Sequence, residues 1–166
     1  MTSKVGIVMG SDSDIPAMQE AEKILKEFGI QTEVRILSAH RTPELAAEFA
    51  KSAAKKGIRI IIAGAGMANH LAGAMAAHTV IPVIGVPLEG SSLNGLDALL
   101  STVQMPPGIP VACVAVGKAG AKNAGFLAVQ MLALSNKELE KQLVEYRKQA
   151  QEVVVEKNKK LQKERE

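Results

Sequence analysis

Short apolar runs alternate with amphipathic stretches along the chain, and that alternation predicts its elements. Val5–Met9 is a compact apolar run closed by Gly10, the pattern of a buried strand. From Pro16 onward, Ala17, Met18, Ala21, Ile24, Leu25 and Phe28 recur at helical spacing until Gly29 stops them. Thr32–Leu37 alternates apolar and polar residues and predicts a second strand. Pro43–Lys56 predicts a helix with Pro43 in its first turn, where a missing N–H costs nothing, and Gly57 closes it. Ile58–Ala63 contains Ile60-Ile61-Ile62, a β-branched run expected of a central parallel strand buried on both faces. Asn69–His78 predicts a short Ala-rich helix, Val83–Val86 a fourth strand and Leu93–Val103 another helix. Val111–Val116 predicts a fifth strand, Ala119–Leu134 a small-residue helix suited to close packing, and Lys137–Lys163 a long charged helix.

Five strands alternating with helices imply an α/β fold: a three-layer sandwich with a flavodoxin-like central parallel sheet, helices on both faces and a long C-terminal helix. Right-handed crossovers follow from strand twist. The expected organisation is one domain over residues 1–166, with residues 1–136 as the body and 137–166 as the terminal helix. Sheets of this kind take ligands at the carboxyl ends of their strands. The loops to inspect are therefore Gly10–Asp14, Ser38–Pro43, Gly64–His70, Pro87–Ser92 and Val116–Gly120, and the chain's unusual polar residues fall in them.

Composition removes several functional classes. With 47% apolar residues the chain can bury a sizeable core, which excludes a disordered or collagen-like protein. Three Phe, one Tyr and no Trp provide no base-stacking platform for single-stranded nucleic acid. The net charge of +3 does not form a basic stripe: residues 137–166 hold nine basic and seven acidic side chains, interspersed, leaving eleven and ten for the body. A solvated helix face accounts for this pattern better than phosphate tracking, so no nucleic-acid partner is expected. Cys113 stands alone, which rules out an intramolecular disulfide and a Cys-rich zinc site. No signal-peptide pattern or membrane-spanning apolar run is present, and a cytoplasmic location without membrane association is expected.

Gly10-Ser11-Asp12-Ser13-Asp14 joins the first strand to the first helix. Its N–H groups and Ser hydroxyls suit an anion, and Asp14 would accept hydrogen bonds from ribose hydroxyls. Ser and Asp are equally the residues of ordinary helix capping, and the loop alone does not separate the two readings. It matches neither a Walker A loop nor G-x-G-x-x-G, so no ATP or dinucleotide cofactor is implied. In Ser38-Ala39-His40-Arg41-Thr42-Pro43, Arg41 offers a rigid fork for phosphate or carboxylate. His40 beside it can act as acid or base near neutral pH, although a surface His-Arg pair before a helix would look the same. Gly64-Ala65-Gly66-Met67-Ala68-Asn69-His70 has two glycines, which let a ligand approach the backbone closely. His70 would begin a helix, where a neutral imidazole is favoured, and it reads equally as a hydrogen-bonded structural histidine. His78 is expected to be a helix C-terminal residue outside the site. No H-x-x-x-H or C-x-x-C spacing exists, so no metal is expected. The absence of G-x-S-x-G counts against an acyl-transferring hydrolase.

Five segments, taken together, carry a resemblance. Gly10-Ser11-x-Ser13-Asp14, Ser38-Ala39-His40-Arg41-Thr42-Pro43, Pro82-Val83-Ile84-Gly85-Val86-Pro87, Ser101-x-Val103-Gln104-Met105-Pro106 and Ala121-Lys122-Asn123-Ala124 stand in order. In this arrangement, spanning residues 4–165, the chain resembles the N5-carboxyaminoimidazole ribonucleotide mutase family (PurE) of bacterial purine biosynthesis. The resemblance implies an isomerase that moves a carboxylate from N5 to C4 of the aminoimidazole ribonucleotide through CO₂, without metal, ATP or nucleotide cofactor. It also implies a homo-octamer in which Lys137–Lys163 clasps a neighbouring subunit. Ser11, Asp14 and Arg41 match the family's substrate-binding positions and His40 its proton-transfer residue. Ser38 and the Gly64–Gly66 backbone would help confine the carboxylate or CO₂, and Ser13, Ala39, Gly66, His70 and Leu71 complete the expected substrate-binding set.

The chain departs from that pattern at two places. Many mutases have Gly-Gly-Ala-Ala-His-Leu-Pro-Gly where this chain has Gly66-Met67-Ala68-Asn69-His70-Leu71-Ala72-Gly73. An Asn here resembles aminoimidazole ribonucleotide carboxylases, which use CO₂ directly, whereas Arg41 and His70 resemble the mutases. Ile15 stands where a Trp is common. The mutase is the expected activity, with the direct carboxylase and a non-catalytic nucleotide-binding module as alternatives.

Overall fold

The computed structural model describes residues 4–165. Five strands, β1 (Lys4–Met9), β2 (Gln31–Ile36), β3 (Ile58–Gly66), β4 (Val83–Leu88) and β5 (Ala112–Cys113), pair in parallel in the order β2-β1-β3-β4-β5. This is the expected flavodoxin-like sheet. The β-branched run lies at its centre: Ile61, Ile62 and Ala63 pair with Gly6, Ile7 and Val8 on one side and with Val83, Ile84 and Gly85 on the other. Six α-helices connect and follow the strands: α1 (Ile15–Glu27), α2 (Pro43–Ala53), α3 (Leu71–Ala77), α4 (Leu96–Val103), α5 (Gly117–Ala133) and α6 (Lys137–Lys163). The chain divides into two compact units, Met1–Val129 and Gln130–Glu166.

In the first unit both sheet faces are covered. Phe49 of α2 lies against Gly6, where an added Cβ would come within 3.1 Å of the ring. Ala46, Phe49, Ala50, Leu71 and Met75 form one core with Val8, Ile61 and Ala63. On the other face Met18 of α1 packs over Gly64, and α1 meets α5 through small residues, as the Ala119–Leu134 pattern suggested. A Cβ on Gly125 would stand 2.9 Å from that of Ile24, so glycine is what lets the two helices approach. The Phe28 and Phe126 rings meet edge to face with centroids 6.1 Å apart, and Lys122 pairs with Glu20 at 3.4 Å. In the second unit, the Asn136 side chain caps α6 by accepting from the N–H groups of Glu138 and Leu139.

Several boundaries differ from the sequence pattern. β3 continues to Gly66 and β4 to Leu88, so Gly64 and Gly66 belong to a strand and not to a loop. Gly64 is bare because Met18 fills the space above it, not because a ligand does. β5 retains only Ala112 and Cys113 of the expected Val111–Val116. It is an edge strand with a single neighbour, and its last tie is Val114 N–H to Gly85 O at 3.1 Å. α4 begins at Leu96 instead of Leu93 because Asn94 (φ 50°) and Gly95 (φ 85°) are left-handed and cannot continue a right-handed helix. α2 gives way at Ala54–Lys56 to a 3₁₀ turn, which Gly57 ends.

Candidate active site

The loops after β1, β2, β3 and β4 surround one open cavity of about 720 Å³ at the carboxyl end of the sheet. Every residue expected to bind the substrate through its side chain or to transfer its proton lies on its wall, whereas Gly64, expected to help confine the carboxylate, and the Val116–Gly120 loop do not.

From the first loop come Ser11, Ser13 and Asp14. The Ser11 hydroxyl oxygen accepts from Ser13 N–H at 3.4 Å, while Asp14 Oδ2 accepts from Ser11 N–H at 3.0 Å, a reciprocal capping box around the 3₁₀ turn Asp12–Asp14. Capping and a position on the cavity wall are therefore combined: the cap is what fixes these side chains at the rim. Asp14 is only 9% exposed. Burial pushes its carboxyl above the ordinary range, outweighing the Ser11 N–H and the Arg41 charge that pull it down. Asp12, fully exposed beside it, is held below that range by the Ser11 hydroxyl and the Ser13 N–H.

The second loop supplies Ser38, Ala39, His40 and Arg41. It is tied to itself: Ser38 N–H donates to Thr42 Oγ1 at 2.9 Å, Thr42 Oγ1 donates back to Ser38 O at 3.1 Å, and Arg41 N–H donates to Ser38 Oγ at 3.1 Å. This knot turns His40 and Arg41 outward into the cavity. Arg41 Nη2 donates to Gly10 O at 2.9 Å, which braces the second loop on the first.

Gly66, His70 and Leu71 come from the third segment, together with Met67 and Ala68. Gly66 fits close against β4, where a Cβ would lie 3.2 Å from Leu88 O. His70 Nδ1 is 2.8 Å from His40 Nε2, the rings meeting at 67° with centroids 4.8 Å apart. A contact this short requires one imidazole nitrogen to donate and the other to accept, so the pair holds a proton between two loops thirty positions apart. Asn69 does not line the cavity and is 1% exposed. Its side chain points into the protein, and α3 starts only at Leu71.

Two wall residues, Glu89 and Gly90, were not singled out from the sequence. They lie in the loop after β4, which the carboxyl-end rule had marked, but nothing in their local pattern separated them from a surface turn. His78 ends α3 and is not among the residues lining this cavity.

The cavity thus combines an imidazole pair able to move a proton, a guanidinium, a buried carboxylate and several hydroxyls. That set fits a small anionic, hydroxyl-bearing molecule that undergoes proton transfer.

The profile of the AIR carboxylase family matches residues 4–153 of this chain. The N5-carboxyaminoimidazole ribonucleotide mutase of Pyrococcus abyssi is 56% identical over 144 residues, covering 87% of this chain and 82% of its own. The protein of the same name from Thermotoga maritima is 52% identical over 159 residues, covering 96% and 92%. The crystal structure of Treponema denticola PurE matches with a TM-score of 0.86 at 32% identity, over 96% of this chain and 98% of that one.

Proposed function

Because the chain belongs to the AIR carboxylase family, we propose that it converts N5-carboxyaminoimidazole ribonucleotide to 4-carboxy-5-aminoimidazole ribonucleotide, an isomerisation of purine biosynthesis. Relatives more than 50% identical over most of the chain carry that activity in their names. The observation that carries the reading is the His40–His70 contact on the cavity wall, because this reaction needs one proton delivered and one removed.

The reaction balances without a co-reactant. The N5–carboxylate bond breaks, CO₂ leaves and N5 gains a proton; C4 then attacks CO₂, a C–C bond forms, and the C4 proton departs. A single group that donates to N5 and accepts from C4 returns to its starting state, and we assign that role to His40. His70 supports it by holding the shared proton. Arg41 binds the phosphate with the donors not given to Gly10 O. Ser11, Ser13 and Asp14 hold the polar ribonucleotide, while Ser38, Ala39, Gly66 and Leu71 close around the carboxylate and CO₂. Confinement keeps CO₂ beside C4, so recapture proceeds at a high effective concentration.

The direct carboxylase is less favoured. Arg41 and His70, the two mutase-like residues, face the cavity, whereas Asn69, the carboxylase-like one, is buried behind it. We further propose a homo-octamer in which α6 packs on a neighbouring subunit. Val144, Val153, Val154, Val155 and Leu161 are exposed along this otherwise charged helix, and an apolar set of that kind supports an interface. A cytoplasmic location belongs to the same proposal, since the substrate is a multiply charged phosphate ester that does not cross membranes unaided. Among the described residues no helix is long and apolar enough to span one.

A paired assay tests the activity. One arm receives N5-carboxyaminoimidazole ribonucleotide and the other aminoimidazole ribonucleotide with bicarbonate, with the C4-carboxylate followed in both. Rapid product in the first arm alone is expected; rapid product in the second at modest bicarbonate would mean a carboxylase.

A further inference from the structure

Asn69 sits between two residues that line the cavity, Ala68 and His70, yet it is turned away from it and is 1% exposed. Three hydrogen bonds hold it. Its backbone N–H donates to Ser101 Oγ at 2.9 Å, and its Nδ2 donates to Thr102 Oγ1 at 2.9 Å and to Val86 O at 3.4 Å. Both hydroxyls are already oriented, because Ser101 Oγ donates to Asp97 O at 2.8 Å and Thr102 Oγ1 to Ala98 O at 2.6 Å. Each is therefore left to accept, and the Asn69 amide has only one orientation that fits. In that orientation Oδ1 is buried with no hydrogen-bond partner among the described residues.

An orphan carbonyl in the interior costs stability, and an apolar side chain of similar size would fill the space without that cost. Packing alone thus does not account for an Asn here. The loop itself supplies a reason. Two residues upstream, Met67 adopts φ 55°, a left-handed conformation disfavoured for a side-chain-bearing residue, and the residue is 61% exposed. Exposed as it is, Met67 gives the strained turn little anchorage. The next strong anchor along the chain is Asn69, and immediately after it comes His70, 2.8 Å from His40.

We propose that Asn69 is a positioning residue: by clasping the loop to β4 and α4 it holds the left-handed turn at Met67 and fixes His70 against His40. Its effect on turnover rests on the reaction proposed above; its effect on the imidazole contact does not. The residue that resembles a substrate-choice marker in sequence then acts on catalysis from behind the cavity wall.

The test removes the acceptor and keeps the shape. Thr102→Val preserves the volume and the methyl that packs toward Gly85 but takes away the hydroxyl that receives Asn69 Nδ2. Thr102→Ser keeps the hydroxyl and drops the methyl, and Ser101→Ala removes the acceptor of the Asn69 N–H. Two readouts are taken on each full-length protein: kcat and KM for the mutase reaction, and the ¹H–¹⁵N imidazole spectrum of the ligand-free protein, in which the His40–His70 contact is observed directly. Thr102→Val and Ser101→Ala are expected to lower kcat by about tenfold or more, the scale of a displaced catalytic group, with KM little changed. They should also weaken the imidazole contact, and Thr102→Ser should restore both. An unchanged imidazole contact in Thr102→Val and Ser101→Ala overturns the proposal, as does a Thr102→Ser variant no better than Thr102→Val. A parent protein that does not turn over the substrate defeats the proposed reaction instead, and the imidazole spectra still decide the clasp.

Discussion

Replacing Asp14 by Asn should make the protein more stable and less active, and the structure gives both signs. Asp14 is 9% exposed, and burial lifts its carboxyl above the ordinary value of 3.8 in spite of the Ser11 N–H at 3.0 Å and the Arg41 charge. Asn keeps an oxygen to accept from Ser11 N–H, so the capping box survives while the buried charge is removed. Single stabilising substitutions commonly gain about 0.5–2 kcal/mol, and removal of this buried charge is expected to fall in that range. At this chain length that is a rise in Tm of roughly 2–4 °C per kcal/mol. The pH dependence follows from linkage. On acidification the native carboxyl takes up its proton before the unfolded one, so the cost of the charge is present above the native pKa and disappears as pH falls toward 3.8. The advantage of the variant should therefore be largest at neutral pH and shrink as the pH is lowered. Activity moves the other way. Losing a charged acceptor for a ribonucleotide hydroxyl, about 1.5–3 kcal/mol, should lower kcat/KM by roughly 10- to 150-fold. Thermal denaturation at fixed protein concentration between pH 7 and pH 4, with steady-state kinetics at pH 7, checks both. A variant that melts lower at pH 7, or whose difference grows in acid, would refute the reasoning about burial.

Further expectations follow from other contacts. Arg41→Lys keeps the charge but loses the planar fork that reaches both Gly10 O and the cavity; kcat/KM should fall by roughly 10- to 150-fold, and an unchanged value would remove Arg41 from ligand binding. Gly64→Ala places a Cβ against Met18 Sδ, so Tm should drop while KM stays the same; a raised KM at unchanged Tm would mean that a ligand, not Met18, occupies that space. Gly85→Ala meets stiffer neighbours, Thr102 Cγ2 at 2.5 Å, Val111 Cγ1 at 2.9 Å and Ala72 Cβ at 3.2 Å. It should destabilise by about 1–3 kcal/mol, and more than Gly64→Ala does, as read by the same melting curves.

Much of this architecture could be read from the chain because the deciding signals are local. The β-branched run at Ile60–Ile62 marks a strand buried on both faces, glycines at 29 and 57 mark helix ends, and the carboxyl-end rule converts strand positions into a list of loops. Ser11, Asp14, Ser38, His40, Arg41 and His70 all fall in those loops and meet at one cavity. What was not legible depends on residues distant in sequence. The His40–His70 contact joins loops whose own patterns are compatible with surface histidines. Asn69 looks like a loop residue until the Ser101 and Thr102 hydroxyls are placed beneath it. Gly64 invites a ligand until Met18 is seen above it, and β5 pairs with β4 only at Ala112 and Cys113, a shortening that its apolar run does not announce. Glu89 reaches the wall through the sheet order, which no local pattern encodes.

The central claim is that His40 transfers the protons while the rest of the cavity holds the substrate. His40→Asn, assayed with N5-carboxyaminoimidazole ribonucleotide for both equilibrium binding and turnover, tests it most directly. The expected result is binding close to that of the parent protein with kcat lower by about 10²–10⁴-fold, the range for loss of a general acid–base group. Turnover near the parent's value would contradict the claim and return His40 to the role of a surface residue.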